Sequence, residues 1–240
     1  MRVTWGSISL KFNPNRAVDV PVVTGKGGVD ALVKEIRSLE NNPGVRRLVD
    51  ERVEEFLNVK EQDSSSWFTE LVYCLLTAYS SAEMGQSCVD GLKECDFILR
   101  GGQADVSGEL RRRGHRFADR RAEYIVATRD LEPKLKGIIQ GFGTSSQARE
   151  WLVENVKGLG MKEASHFLRN VGYLDVAILD RHVISNMVEF GLIESRGKSL
   201  TKRRYLEYEK ILKGVAERLN MPVGKLDLYL WYRKTGKVLK

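Results

Sequence analysis

An all-α fold is predicted by three features of this 240-residue sequence. Apolar residues recur at helical spacing in segment after segment from residue 29 to residue 235, the signature of amphipathic helices. The connections between these segments are short and carry Gly, Pro, Asn or Ser, and no convincing pair of alternating strand segments follows residue 28. The apolar faces are too many for one bundle layer, so the helices are expected to divide between two lobes that share a core.

Residues 1–27 read differently and are expected to form an appendage that is partly extended. Val3, Trp5, Ile8, Leu10 and Phe12 suggest a short extended segment, Asn13-Pro14-Asn15 a turn, and Thr24-Gly25-Lys26-Gly27-Gly28 a linker. The glycines beside Lys26 lack the spacing and the following Ser or Thr of a P-loop. Residues 28–240 form the helical domain. Helices are expected over 29–39 and, after Asn41-Asn42-Pro43-Gly44, over 45–57. Ser64-Ser65-Ser66 is expected to cap the most apolar helix, 67–79, which would be the central core element. Further helices are placed over 82–95, 120–128, 131–139, 146–156, 162–171, 181–190, 200–219 and 223–235.

Composition restricts the function. With 42% hydrophobic and 30% charged residues the chain reads as globular and soluble. No signal-peptide pattern and no apolar run of membrane-spanning length is present, which predicts an intracellular, cytoplasmic protein. Three cysteines without a C-x-x-C pair argue against a disulfide framework and a zinc site. The net charge of +7 resides in residues 201–240, and a second cluster, Arg111-Arg112-Arg113 with Arg116, Arg120 and Arg121, surrounds a single Asp119. Two basic patches suggest a polyanionic partner, most simply nucleic acid; a solvated basic face is the simpler alternative.

The stretch Val156-Lys157-Gly158-Leu159-Gly160-Met161-Lys162-Glu163-Ala164 joins two of the predicted helices by a tight hairpin. Gly158 and Gly160 are expected to take positive φ, with Leu159 plugging the gap between the helices. The amides of about Gly158 to Lys162 would then lie free at a positive helix end, a place that binds phosphate. Lys162 follows directly, where the dipole and neighbouring bases disfavour an ammonium, so it is either a neutral amine nucleophile or a phosphate contact. Asp180 ends the apolar run 176–179 and precedes Arg181-His182-Val183-Ile184, an N-cap position. It is either a cap alone or a cap that also faces Lys162 across a cleft, stabilising positive charge and assisting proton transfer.

The hairpin, with Leu179-Asp180-Arg181-His182, resembles the helix-hairpin-helix glycosylase superfamily, which includes endonuclease III and the 8-oxoguanine DNA glycosylases. The run Gly160-Met161-Lys162-Glu163-Ala164-Ser165-His166-Phe167-Leu168-Arg169-Asn170-Val171-Gly172-Tyr173 is more similar still to the type 2, largely archaeal, 8-oxoguanine DNA glycosylase/AP lyase family. Trp67-Phe68 with Leu75-Leu76-Thr77-Ala78, Gly114-His115-Arg116-Phe117 with Arg121-Ala122-Glu123-Tyr124-Ile125, and Leu226-Asp227-Leu228-Tyr229-Leu230-Trp231-Tyr232 with Lys240 extend the match. It runs from about residue 30 to the end. The four-cysteine iron–sulfur signature of endonuclease III is missing, since the last cysteine is Cys95.

The resemblance implies a two-lobed helical fold with the active site between the lobes. The implied partner is double-stranded DNA containing 8-oxoguanine, bound by a monomer. The implied activity is excision of the damaged base followed by β-elimination through a Schiff base on Lys162, with Asp180 as the second catalytic residue. Gly158, Gly160 and Arg116 would contact phosphate, with no cofactor or metal required beyond a possible monovalent cation at the hairpin. Lys240, through its side chain or its terminal carboxylate, Trp231 and Phe117 would recognise the base. Read without the resemblance, Lys240 is a tail lysine, Trp231 a half-buried helix residue and Phe117 equally a core aromatic. Relatives often carry Asn after Thr77-Ala78 where this chain has Tyr79, which leaves opposite-base preference open. Another oxidised base as substrate, and a non-catalytic DNA-binding module, are the alternative functions.

Overall fold

The computed structural model describes residues 27–194 and 200–240, so the expected appendage lies outside them except for Gly27. The described residues contain helices and no strand. The helices are α1 (Gly28–Asn41), α2 (Pro43–Glu61), α3 (Ser64–Thr77), α4 (Ala82–Glu94), α5 (Gln103–Arg112), α6 (Ala118–Thr128), α7 (Leu135–Gln140), α8 (Ser145–Asn155), α9 (Met161–Asn170), α10 (Arg181–Glu189), α11 (Lys202–Leu219) and α12 (Val223–Thr235).

Their apolar faces build two cores, as their number requires. One gathers α3 to α9 around Trp67, Phe68, Leu71, Leu75, Ile125, Leu152 and Phe167. The other gathers both ends of the described chain, α1, α2 and α10 to α12, around Leu32, Ile36, Phe56, Val183, Tyr205, Leu212 and Leu226. The chain therefore leaves the second lobe at α3 and returns to it after α9. The central place of α3 is as expected: from Trp67 to Leu76 only Thr69 is not buried.

Local corrections have physical causes. Asp63 rather than the serine run caps α3, accepting the Ser66 N–H at 2.8 Å, while the Ser64 hydroxyl donates to the Glu132 carbonyl. The helix stops at Thr77, two residues early, because Tyr79 adopts φ 61°. The segment between Cys95 and Arg120, where no helix is expected, contains α5, whose buried apolar residues are only Val106 and Leu110, too few for a periodic signal. Asp105 accepts the Gly102 N–H at 2.7 Å and starts it. The expected helix over 131–139 is a 3₁₀ turn at Arg129–Leu131 followed by α7.

Candidate active site

The hairpin between α8 and α9 rests on one tyrosine. Gly158 has φ 94°, and a Cβ there would stand 2.2 Å from Cδ2 of Tyr124 on α6, so both conformation and space exclude a side chain. Gly160 departs from expectation. It is the N-cap of α9 with φ −98° and ψ −175°, the extended backbone usual at that position, so only one of the two glycines is left-handed. Leu159 is buried in the first core, as its position between two glycines suggested. Its amide is not free but donates to the Val156 carbonyl at 3.1 Å. The α9 ladder starts with the Ala164 N–H donating to Gly160 at 2.9 Å, which leaves the amides of Met161 to Glu163 ahead of the first helical bond.

Lys162 stands in the first turn of α9 with its Nζ 3.2 Å from Oε1 of Glu163. Asp180 caps α10 from the other lobe, its Oδ1 accepting the His182 and Val183 amides at 2.8 Å each. Its second oxygen accepts the indole N–H of Trp231 at 2.7 Å, and the His182 ring meets the same indole edge-on at 4.7 Å. The cap thus fixes one carboxylate oxygen and Trp231 of α12 the other. One turn before Trp231, Asp227 is buried beside Arg169 of α9 and pairs with it. Burial pushes the Asp227 carboxyl up to about 7; Arg169 opposes the rise, Asp180 adds to it and Lys162 opposes it. A single buried carboxylate therefore feels both Lys162 and Asp180, one from each lobe.

The end of the chain enters the same region. The ammonium of Lys240 lies 2.6 Å from Oε1 of Glu70 and 4.6 Å from the ring centroid of Tyr73, both on α3. The Tyr73 hydroxyl donates to the Lys240 carbonyl at 2.8 Å, and His166 of α9 also bonds the Lys240 backbone. Burial, then the charges of Arg169, Lys162 and Lys240, drives His166 well below the ordinary histidine range, so it is a neutral ring. Asn170 donates to the other oxygen of Glu70 at 3.0 Å.

Phe117 and Arg116 lie at the start of α6, tied to the end of α3. His115 is buried; its Nδ1 accepts the Phe117 amide at 3.2 Å, so its Nε2 carries the hydrogen that reaches the Leu76 carbonyl at 2.9 Å. Arg121 donates to the Ala78 carbonyl at 2.7 Å. These bonds bring Phe117 edge-on to Tyr79 with centroids 6.5 Å apart, and the Arg116 guanidinium 5.0 Å over the Phe117 ring. Tyr79 is 88% exposed in its left-handed conformation. The surrounding arginine cluster is less available than its sequence implied. Arg111 pairs with Asp119, Arg112 and Arg113 with Glu109, and Arg121 is buried. Among the described residues Arg116 and Arg120 are exposed and hold no ion pair.

Sequence reasoning missed Glu70 altogether and quoted Asp227 without a role. The signal for both was an acid inside an apolar helical run: Glu70 between Trp67 and Leu76, Asp227 between Leu226 and Leu228. Among the described residues no group of three or more His, Cys, Asp or Glu is gathered as a metal ion would need, and no helix is long and apolar enough to cross a membrane.

Comparison with known proteins identifies the family. The family model described as 8-oxoguanine DNA glycosylase matches residues 49–221. The 8-oxoguanine DNA glycosylase/AP lyase of Korarchaeum cryptofilum is 45% identical over 213 residues, covering 89% of this chain and all of that protein. The crystal structure of the Methanocaldococcus jannaschii 8-oxoguanine glycosylase/lyase, in complex with a 15mer DNA containing 8-oxoguanine, superposes with a TM-score of 0.82 at 44% identity. It covers 88% of this chain and 100% of that one. The 8-oxoguanine DNA glycosylase of Thermotoga maritima gives a TM-score of 0.80 at 43% identity, with the same coverage of both chains.

Proposed function

The chain belongs to the 8-oxoguanine DNA glycosylase family, and from that premise we propose that it excises 8-oxoguanine from double-stranded DNA and cuts the strand at the resulting abasic site. What supports the site assignment is Lys162 in the first turn of α9 and Asp180 at the cap of α10, tied to Trp231 of α12, with Asp227 of that helix paired to Arg169 of α9. The damaged nucleotide leaves the base stack to enter the cleft, because its sugar carbon cannot be reached in the duplex. Lys162 Nζ forms a bond to the anomeric carbon as the bond from that carbon to the base breaks, and the base departs with the electron pair. Opening of the sugar ring gives a Schiff base, and loss of a proton from the neighbouring carbon expels the 3′ phosphate by β-elimination.

Asp180, held by three N–H donors, stabilises the positive charge that develops on the sugar and assists the proton transfers. Gly158, Gly160 and the amides at the start of α9 take a backbone phosphate, directly or through a monovalent cation, and Arg116 takes another. Trp231 and Lys240 line the base pocket, and Phe117 enters the duplex beside Tyr79. The chemistry calls for no redox or organic cofactor. The enzyme works as a monomer on DNA inside the cell, in association with the nucleoid.

Borohydride trapping on an 8-oxoguanine duplex tests the mechanism. Wild type is expected to form a covalent adduct and Lys162→Gln none; an untrapped wild type, or a trapped K162Q, overturns it.

A further inference from the structure

A charged residue is out of place in the middle of α3. Glu70 is 7% exposed, and its neighbours Leu71, Val72, Cys74, Leu75 and Leu76 are buried apolar groups or a thiol. Burying a carboxylate is costly unless it is paired and hydrogen-bonded, and an apolar side chain of similar size commonly does as well for stability. Glu70 is satisfied by two partners from distant parts of the chain, the Lys240 ammonium at 2.6 Å and the Asn170 amide at 3.0 Å.

The second partner locates it. Lys162, His166 and Asn170 follow at four-residue intervals along α9, one face of the helix. Lys162 stands in the first turn of α9, His166 bonds the Lys240 backbone, and Asn170 fixes Glu70. Tyr73, one turn after Glu70 on α3, bonds the Lys240 carbonyl with its hydroxyl and lies beneath the ammonium with its ring. The Lys240 clamp is therefore built one to two turns along the helix that carries Lys162, roughly 6–12 Å away. That separation is of the order of a purine's length. The Lys240 ammonium has three N–H groups and Glu70 engages one side of it, so the remaining donors are aimed rather than free to rotate.

We propose that Glu70 is a positioning residue for base recognition: through its ion pair it aims the Lys240 ammonium at a carbonyl oxygen of the flipped purine, without touching the base or the sugar itself. This rests on the function proposed above and names a residue that sets its specificity. Glu70 acts before the base has left. Once the base is gone, the abasic sugar bound to Lys162 no longer needs it.

Glu70→Gln provides the test, because glutamine keeps an oxygen for Asn170 and removes the charge that holds Lys240. Two substrates are compared, an 8-oxoguanine duplex and the same duplex with a preformed abasic site, alongside Lys240→Gln and the double variant. E70Q is expected to lower kcat/KM for 8-oxoguanine excision about 10- to 100-fold. Cleavage of the abasic site should change less than about threefold, and the double variant should be no worse than either single one within about threefold. The inference is overturned if E70Q excises like wild type, if both activities fall together, or if the two single losses multiply. If wild type does not excise 8-oxoguanine, the proposed function itself fails and this inference with it.

Discussion

Arg149–Glu209 and Arg169–Asp227 are both guanidinium–carboxylate pairs no more than 5% exposed, and each joins a helix of one lobe to a helix of the other. Their surroundings differ. Glu209 accepts both arms of Arg149, at 2.6 and 2.8 Å, and the Ala177 amide at 2.9 Å, while Ser165 adds its oxygen to the guanidinium at 3.2 Å. Asp227 has one oxygen on Arg169 and the other, buried, without a hydrogen-bond partner. Each arginine leaves its Nε unpaired, so the contrast lies in the acceptors. The satisfied pair has the character of a weld between lobes. The unsatisfied one feels the charges of both Lys162 and Asp180, and burial keeps its carboxylate from full ionisation.

Four substitutions break or sharpen that contrast. The largest effect is expected from Glu209→Ala, which strands the Arg149 charge in the core and should cost about 3–5 kcal/mol in urea unfolding. The rate of base excision by the folded fraction should stay near wild type, and a stability loss below about 1 kcal/mol would dissolve the contrast. Next comes Asp227→Asn, read as stability against pH. Asp227 has its folded pKa raised to about 7 from 3.8, so between those values the native state holds more protons than the unfolded chain. Its stabilising contribution is full below pH ~4 and disappears as pH rises through ~7, a change of a few kcal/mol at about 1.4 kcal/mol per unit. D227N should flatten that slope; identical slopes in the two proteins would show that Asp227 titrates normally.

Trp231→Phe keeps an aromatic ring at that position of α12 and removes the indole N–H that Asp180 accepts. A drop of about tenfold in single-turnover excision is expected, with little change in melting temperature. An unchanged rate would mean that the cap alone holds Asp180. The smallest effect is expected at Tyr79, whose left-handed backbone costs about 1 kcal/mol for a bulky residue. Tyr79→Asn should stabilise the free protein by up to about 1 kcal/mol and weaken its binding to duplex DNA in a titration. A variant that loses stability would show that the exposed aromatic is not strained.

The elements that sequence made legible are those whose signal is local. Asp180 before an apolar helical run had to be a cap, and it is. The 158–160 glycines had to mark a hairpin with a buried leucine between them, and they do. The number of apolar helical faces called for the division into two lobes, and the two cores bear it out. Where the local signal was ambiguous the reading slipped. Gly160 looked like Gly158 but takes the extended conformation of a cap, and α5 carried too few apolar residues to announce itself. The arginine cluster looked like a free basic patch because its acidic partners, Glu94 and Glu109, lie earlier in the chain.

Helical periodicity, capping and hairpin chemistry involve residues within a few positions of one another, so the sequence by itself determined the all-α class, the turn that carries Lys162 and the cap that carries Asp180. The meeting of Glu70 with Lys240, of Asp180 with Trp231 and of Arg169 with Asp227 joins residues far apart in sequence, and no period or spacing encodes it. Only the tertiary structure decided those contacts, because the packing of two apolar cores against each other chooses which distant polar groups are buried together and which of them are left without a partner.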